Sequence, residues 1–142
     1  MQYAKPSPIS LSSPRQWPDR KLAASPMWCA VDLRDGNQAL PDPLTPEQKH
    51  RYFQLLCELG FKKIEIGFPS ASADDFNFCR ELIEKELIPS DVTISVLTQA
   101  REHLIRRTVE SLEGARSAIV HIYVSTAPVF REVVFQKSPE EV

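Results

Sequence analysis

Glycine is scarce in this chain, with 4 in 142 residues, and none falls in a G-x-G-x-x-G or G-x-x-x-x-G-K-[ST] pattern. Dinucleotide and nucleoside-triphosphate sites built on those backbone loops are therefore excluded. Long apolar runs are missing too: the longest span a few residues, far below the roughly 20 needed to cross a bilayer, so no membrane partner is expected. Neither charge dominates. The 17 Lys+Arg and 19 Asp+Glu are interleaved and leave a net charge of −2, which offers no field to gather phosphate backbones and excludes nucleic acid as a partner. Cys29, Cys57 and Cys79 are far apart and form no C-x-x-C, so neither a disulfide framework nor a thiolate zinc site is expected. Reduced thiols fit a cytosol-like compartment.

What is present is the composition of an ordinary folded domain, 42% hydrophobic and 25% charged. A chain of this size buries roughly two-thirds of its unfolded surface, enough for a core without disulfides or a structural metal. Proline is abundant at 12, and Pro6, Pro8, Pro14, Pro18 and Pro26 crowd residues 1–27. That segment has neither helical nor strand periodicity and is expected to be an extended leader. It lacks the apolar stretch of a secretory signal. Its paucity of acids, with only Asp19 before Asp32, is a transit-peptide trait, but the prolines would interrupt the amphipathic helix that such peptides need. A cytoplasmic location is expected, with a mitochondrial one as the alternative.

From Trp28 onward, apolar runs alternate with helical stretches. Strands are expected over 28–33, 63–68, 92–97 and 118–124. Thr45-Pro46-Glu47-Gln48 reads as an N-cap, Pro at N1 and Gln at N3, opening a helix with Tyr52, Leu56 and Leu59 on one face and Gly60 as its stop. Further helices are expected over 73–87, with Phe76, Cys79 and Ile83 inward, and over 101–115, where the arginines make a solvated face with Glu102–Arg106 and Arg106–Glu110 pairs. His50 and His103 read as helix-surface residues. Alternating strands and helices imply parallel pairing with right-handed crossovers, an α/β fold. A repeat of about 30 residues fits a (β/α) barrel or a doubly wound sheet, and four strands make half of an eight-fold barrel. Ser138-Pro139-Glu140-Glu141 carries the marks of another helix start. The expectation is a leader over 1–27 followed by the N-terminal half of a barrel over 28–142, truncated.

Three places could carry chemistry. Asp32-Leu33-Arg34-Asp35-Gly36 lies at the carboxyl end of the first strand, where barrel sites are assembled; the charges there bind metal or substrate, or else pair with one another at a turn. Glu65 interrupts an apolar strand that parallel packing covers on both faces. Opposite Ile64 and Ile66, it would face the barrel interior near Arg34, to polarise a carbonyl or manage a proton, or to form a buried pair that only sets register. His121 shares a face of the fourth strand with Ile119, Tyr123 and Ser125, either as a hydrogen-bonded core residue or beside an anion or metal. Ser125 and Thr126 follow at the strand end, where hydroxyls hold a carboxylate or simply make a turn.

The chain resembles the 2-isopropylmalate synthase family through Trp-Pro-Asp-Arg at 17–20, Val-Asp-Leu-Arg-Asp-Gly-Asn-Gln-Ala-Leu at 31–40, Glu-Ile-Gly-Phe-Pro-Ser-Ala-Ser at 65–72, Leu-Thr-Gln-Ala-Arg at 97–101 and Ala-Ile-Val-His-Ile-Tyr-Val-Ser-Thr at 118–126. Leu-Arg-Asp-Gly alone would also fit homocitrate or citramalate synthases. The resemblance implies a TIM-barrel enzyme that condenses acetyl-CoA with 2-oxoisovalerate, releasing 2-isopropylmalate and CoA in leucine biosynthesis, and homodimeric when full-length. It implies Asp35 as ligand of a divalent metal (magnesium, manganese or zinc), Arg34 and Glu65 as catalytic residues, and His121 and Thr126 as oxo-acid contacts. Two departures stand out. The family's His-x-His metal pair is absent from these residues, so the chain by itself is expected to be inactive, leaving a non-catalytic half-barrel interaction module as the alternative. Pro41 stands where the family usually has an aliphatic residue, which would stiffen the loop after Asp35.

Overall fold

The computed structural model describes residues 24–141, so the expected leader lies outside them up to residue 23, as does the motif at 17–20. Four strands form one parallel sheet in sequential order: β1 (Cys29–Ala30), β2 (Lys63–Gly67), β3 (Thr93–Gln99) and β4 (Ala118–Tyr123). Helices α1 (Pro46–Glu58), α2 (Ala73–Glu84) and α3 (Glu102–Ser111) make the crossovers. This is the expected α/β arrangement of a partial barrel. A core of Phe53, Leu56, Ile64, Ile66, Phe78, Leu82, Ile94 and Val96 fills the space between sheet and helices.

The helix starts follow their local signals. Thr45 and Gln48 make a reciprocal capping box with Pro46 in the first turn, and the Ser72 hydroxyl accepts the Asp75 N–H at the start of α2. The ends depart from expectation. α2 stops at Glu84, followed by Glu86 in a left-handed conformation, and α3 stops at Ser111, ahead of left-handed Gly114. The expected inward faces shift as well. In α1 the buried positions are Lys49, Phe53 and Leu56, with Tyr52 on the flank and Leu59 66% exposed past the last turn. In α2 they are Phe78, Cys79 and Leu82. Phe76 is half-buried under the Arg107 guanidinium, 3.5 Å from the ring centroid, and Ile83 packs at the core's margin. Glu110 pairs with Arg107, not with Arg106 as expected. His50 is drawn off the surface by Glu81 and by the edge of Phe78.

The largest correction concerns β1. The expected strand over 28–33 pairs only at Cys29 and Ala30, and Asp32–Gly36 winds into a π-turn in which the amides of Arg34, Asp35 and Gly36 converge on the Val31 carbonyl. Burying Leu33 completely while lifting Arg34 and Asp35 to the sheet's rim requires leaving the extended conformation. At the other end, the expected helix start at Ser138 forms one 3-10 turn, Pro139–Glu141, whose Glu141 carboxylate accepts the Ser138 N–H.

Candidate functional site

β2 carries a bulge directly after Glu65: Glu65 pairs with Ser95 and Gly67 with Val96, leaving Ile66 as the extra residue. Bulges re-aim side chains beside sites. Here Glu65 is 3% exposed, and both its oxygens are used. Arg34 Nε donates to Oε1 at 2.5 Å, and His121 Nδ1 lies 2.8 Å from Oε2. A carboxylate only accepts, so the imidazole donates from Nδ1, and Nε2 is left without a protein partner among the described residues. Arg34 Nη1 donates to Asp35 Oδ1 at 2.7 Å, which leaves Nη2 as the guanidinium nitrogen without a partner among the described residues.

Arg34 from the turn after β1, Glu65 from within β2 and His121 from within β4 thus come together. Arg34 and His121 line an open cleft of about 700 Å³, together with Asn37, Leu44, Phe68, Leu97 and Tyr123. The Asn37 side chain accepts the Leu44 N–H at 2.8 Å and ties the loop holding Pro41 back to the rim. Phe68 and Tyr123 meet edge to face across the cleft, their centroids 6.4 Å apart. Tyr52 of α1 lies against the π-turn, and burial, then the Asp32 carboxylate, push its phenol above the usual range. Partial burial, then Glu65, raises the Cys29 thiol, which keeps it protonated beside the site.

Of the two other expected site residues, Asp35 touches the cluster through Arg34 without lining the cleft, and Thr126 stands apart. Asp35 is 63% exposed, with one oxygen held by Arg34. Thr126 is exposed beyond the end of β4, where its carbonyl accepts from Arg131, and it does not line the cleft. Sequence reasoning missed Lys49 and Asp75, which form a buried ion pair in the cleft wall. The signal was there: a lysine spaced four residues before Phe53 on an apolar stripe.

The HMGL-like family model matches residues 25–142. The chain belongs to the HMGL-like family. Among similar curated proteins are 2-isopropylmalate synthases from Corynebacterium efficiens (62% identical over 128 residues, 90% of this chain and 22% of the relative), Clostridium acetobutylicum (54% over 141 residues, 99% and 25%) and Alcanivorax borkumensis (64% over 121 residues, 85% and 22%). This HMGL-like chain therefore spans about a fifth to a quarter of the length of the curated relatives it matches.

Proposed function

We propose that residues 28–142 form the first half of the catalytic barrel of a 2-isopropylmalate synthase. The observation that carries the reading is the Arg34–Glu65–His121 cluster on the rim of the cleft, in a chain 54–64% identical to proteins of that name. The overall reaction takes acetyl-CoA, 2-oxoisovalerate and water to 2-isopropylmalate and CoA. The acetyl methyl group loses a proton, the enolate carbon bonds to the ketone carbon, and water cleaves the thioester.

In this scheme Arg34 directs its free Nη2 toward the oxygen that gains negative charge as the carbon–carbon bond forms. Glu65 holds both partners: it fixes the Arg34 guanidinium through Nε and the His121 ring through Nδ1. His121 Nε2 then meets the oxo acid, and the Thr126 hydroxyl, outside the cleft in this structure, would have to turn inward to meet its carboxylate. The family's divalent metal would polarise the ketone when bound, with Asp35 as its ligand. The described residues do not fit a complete metal site: no group of three His, Cys, Asp or Glu is placed to share an ion among them, and Asp35 is one exposed carboxylate already bonded to Arg34. A dimeric assembly and a cytoplasmic location belong to the same proposal; among the described residues no helix is long and apolar enough to cross a membrane.

The test is thiol release by the intact protein, with any sequence its gene supplies beyond residue 142. CoA should appear only when acetyl-CoA and 2-oxoisovalerate are both present. Release that ignores the oxo acid overturns the reading, and a preference for pyruvate or 2-oxoglutarate would replace it with a citramalate or homocitrate synthase.

A further inference from the structure

Resting on the synthase reading above, we infer that the largely buried Lys49–Asp75 ion pair is a positioning device for that site, a brace that holds the loop at 68–72 in the cleft wall. Lys49 lies on the apolar stripe of α1 and is 4% exposed. Burying an ammonium is costly unless it is paired, and it meets Asp75 Oδ1 at 2.6 Å. The other oxygen of the same carboxylate accepts the Phe68 N–H at 2.7 Å. One side chain therefore joins α1, the first turn of α2 and the first residue of the loop after β2.

The backbone is shaped around this carboxylate. A Cβ added at Gly67 would lie 2.7 Å from Asp75 Cγ, so only glycine lets the strand end pass this close. The loop's far end is tied as well, by Ser72 Oγ to the Asp75 N–H and by a contact of 3.4 Å between the Ser70 and Thr98 hydroxyls. Between these ties the loop presents Phe68 opposite Tyr123, in the same cleft as Arg34 and His121. Both oxygens of Asp75 are used and the Lys49 ammonium is matched by a carboxylate, so neither group is free to act as acid, base or ligand. An apolar pair would fill the same space without the desolvation cost. What the ion pair adds is a directed carboxylate for the Phe68 amide, two residues beyond the bulge that aims Glu65.

The experiment uses the intact protein and the variants K49M, K49R and D75N. K49M leaves the largely buried Asp75 carboxylate without its counter-charge and should raise KM for 2-oxoisovalerate about tenfold while kcat stays within about twofold. Amide exchange in peptides covering 67–72 should quicken by about tenfold relative to peptides from β3. K49R should restore both. If K49M does not fold, D75N, which keeps an oxygen acceptor and loses the charge, gives the same two readouts. Unchanged KM and unchanged exchange at 67–72 in a folded variant overturn the brace and leave the synthase reading intact. If the wild-type protein does not condense the two substrates, the proposed function falls and exchange alone decides the brace: quickened exchange at 67–72 upholds it, and unchanged exchange overturns it.

Discussion

The two faces of the sheet differ in kind, although the same strands make both. Toward the helices, Ile64, Ile66, Ile94 and Val96 are sealed within the apolar core. On the other face Glu65 is bonded to His121, and His121 and Leu97 line an open cleft. The strand's period of two separates the duties: neighbouring residues on one strand serve packing and chemistry without sharing atoms. Substitutions one residue apart should therefore fail in different ways, one in stability and the other in turnover.

The sharpest test of that separation is Arg34→Lys. It keeps the charge but loses the planar fork that grips Glu65 and Asp35 together. Turnover by the intact protein should fall about a thousandfold, while unfolding free energy changes by about 1 kcal/mol. Equal damage to both would show that the pair is structural first. The reverse case is Ile94→Ala on the helix side, where a fully buried side chain leaves a cavity. It should cost about 3 kcal/mol in denaturant unfolding, a large share of a domain's stability, with kcat/KM per folded molecule retained. Gly67→Ala lies between the two faces. Its methyl group meets an Asp75 side chain that Lys49 and the Phe68 amide hold still, so about 1–3 kcal/mol of overpacking strain is expected, accompanied by a raised KM. A variant as stable as wild type would mean that the Asp75 carboxylate is free to move.

Strand order, parallel pairing and the start of α1 were legible because their signals are local: Thr45 with Gln48, Pro46 in the first turn, β-branched runs between turns. The joining of Arg34 to Glu65 was legible too, since a carboxylate in an apolar strand and an arginine at the preceding strand's end leave few other partners. What escaped was set by distant contacts. β1 is short because Leu33 must be buried, a demand that no window around it shows. The inward face of α1 turned on Phe53, whose competition with Tyr52 is decided by packing against β2. His121 gained its partner from a residue 56 positions away, and Lys49 from one 26 away. Arg106 and Arg107, four and three residues before Glu110, were both within helical reach of it, and the Phe76 ring beneath Arg107 marks the one chosen.

The smallest expected effect lies outside both faces, on the helix surface, and separates solvent-side charge from the buried pairs. Glu81 of α2 accepts from Lys85 one turn on and from His50 of α1, and these bonds hold its carboxyl well below the ordinary range, at about 2. A carboxyl depressed on folding contributes stability that is fully present above its unfolded value, about 4.5, and is lost as pH falls through the folded value. Wild type and Glu81→Gln should therefore differ slightly in Tm near pH 5, and the gap should close between about pH 4.5 and 2. Because Lys85 is solvent-facing, added salt should shrink the gap, while leaving the Lys49–Asp75 brace unmoved. A gap that persists unchanged to pH 2 would mean that Glu81 acts by packing α1 against α2 and not by its charge.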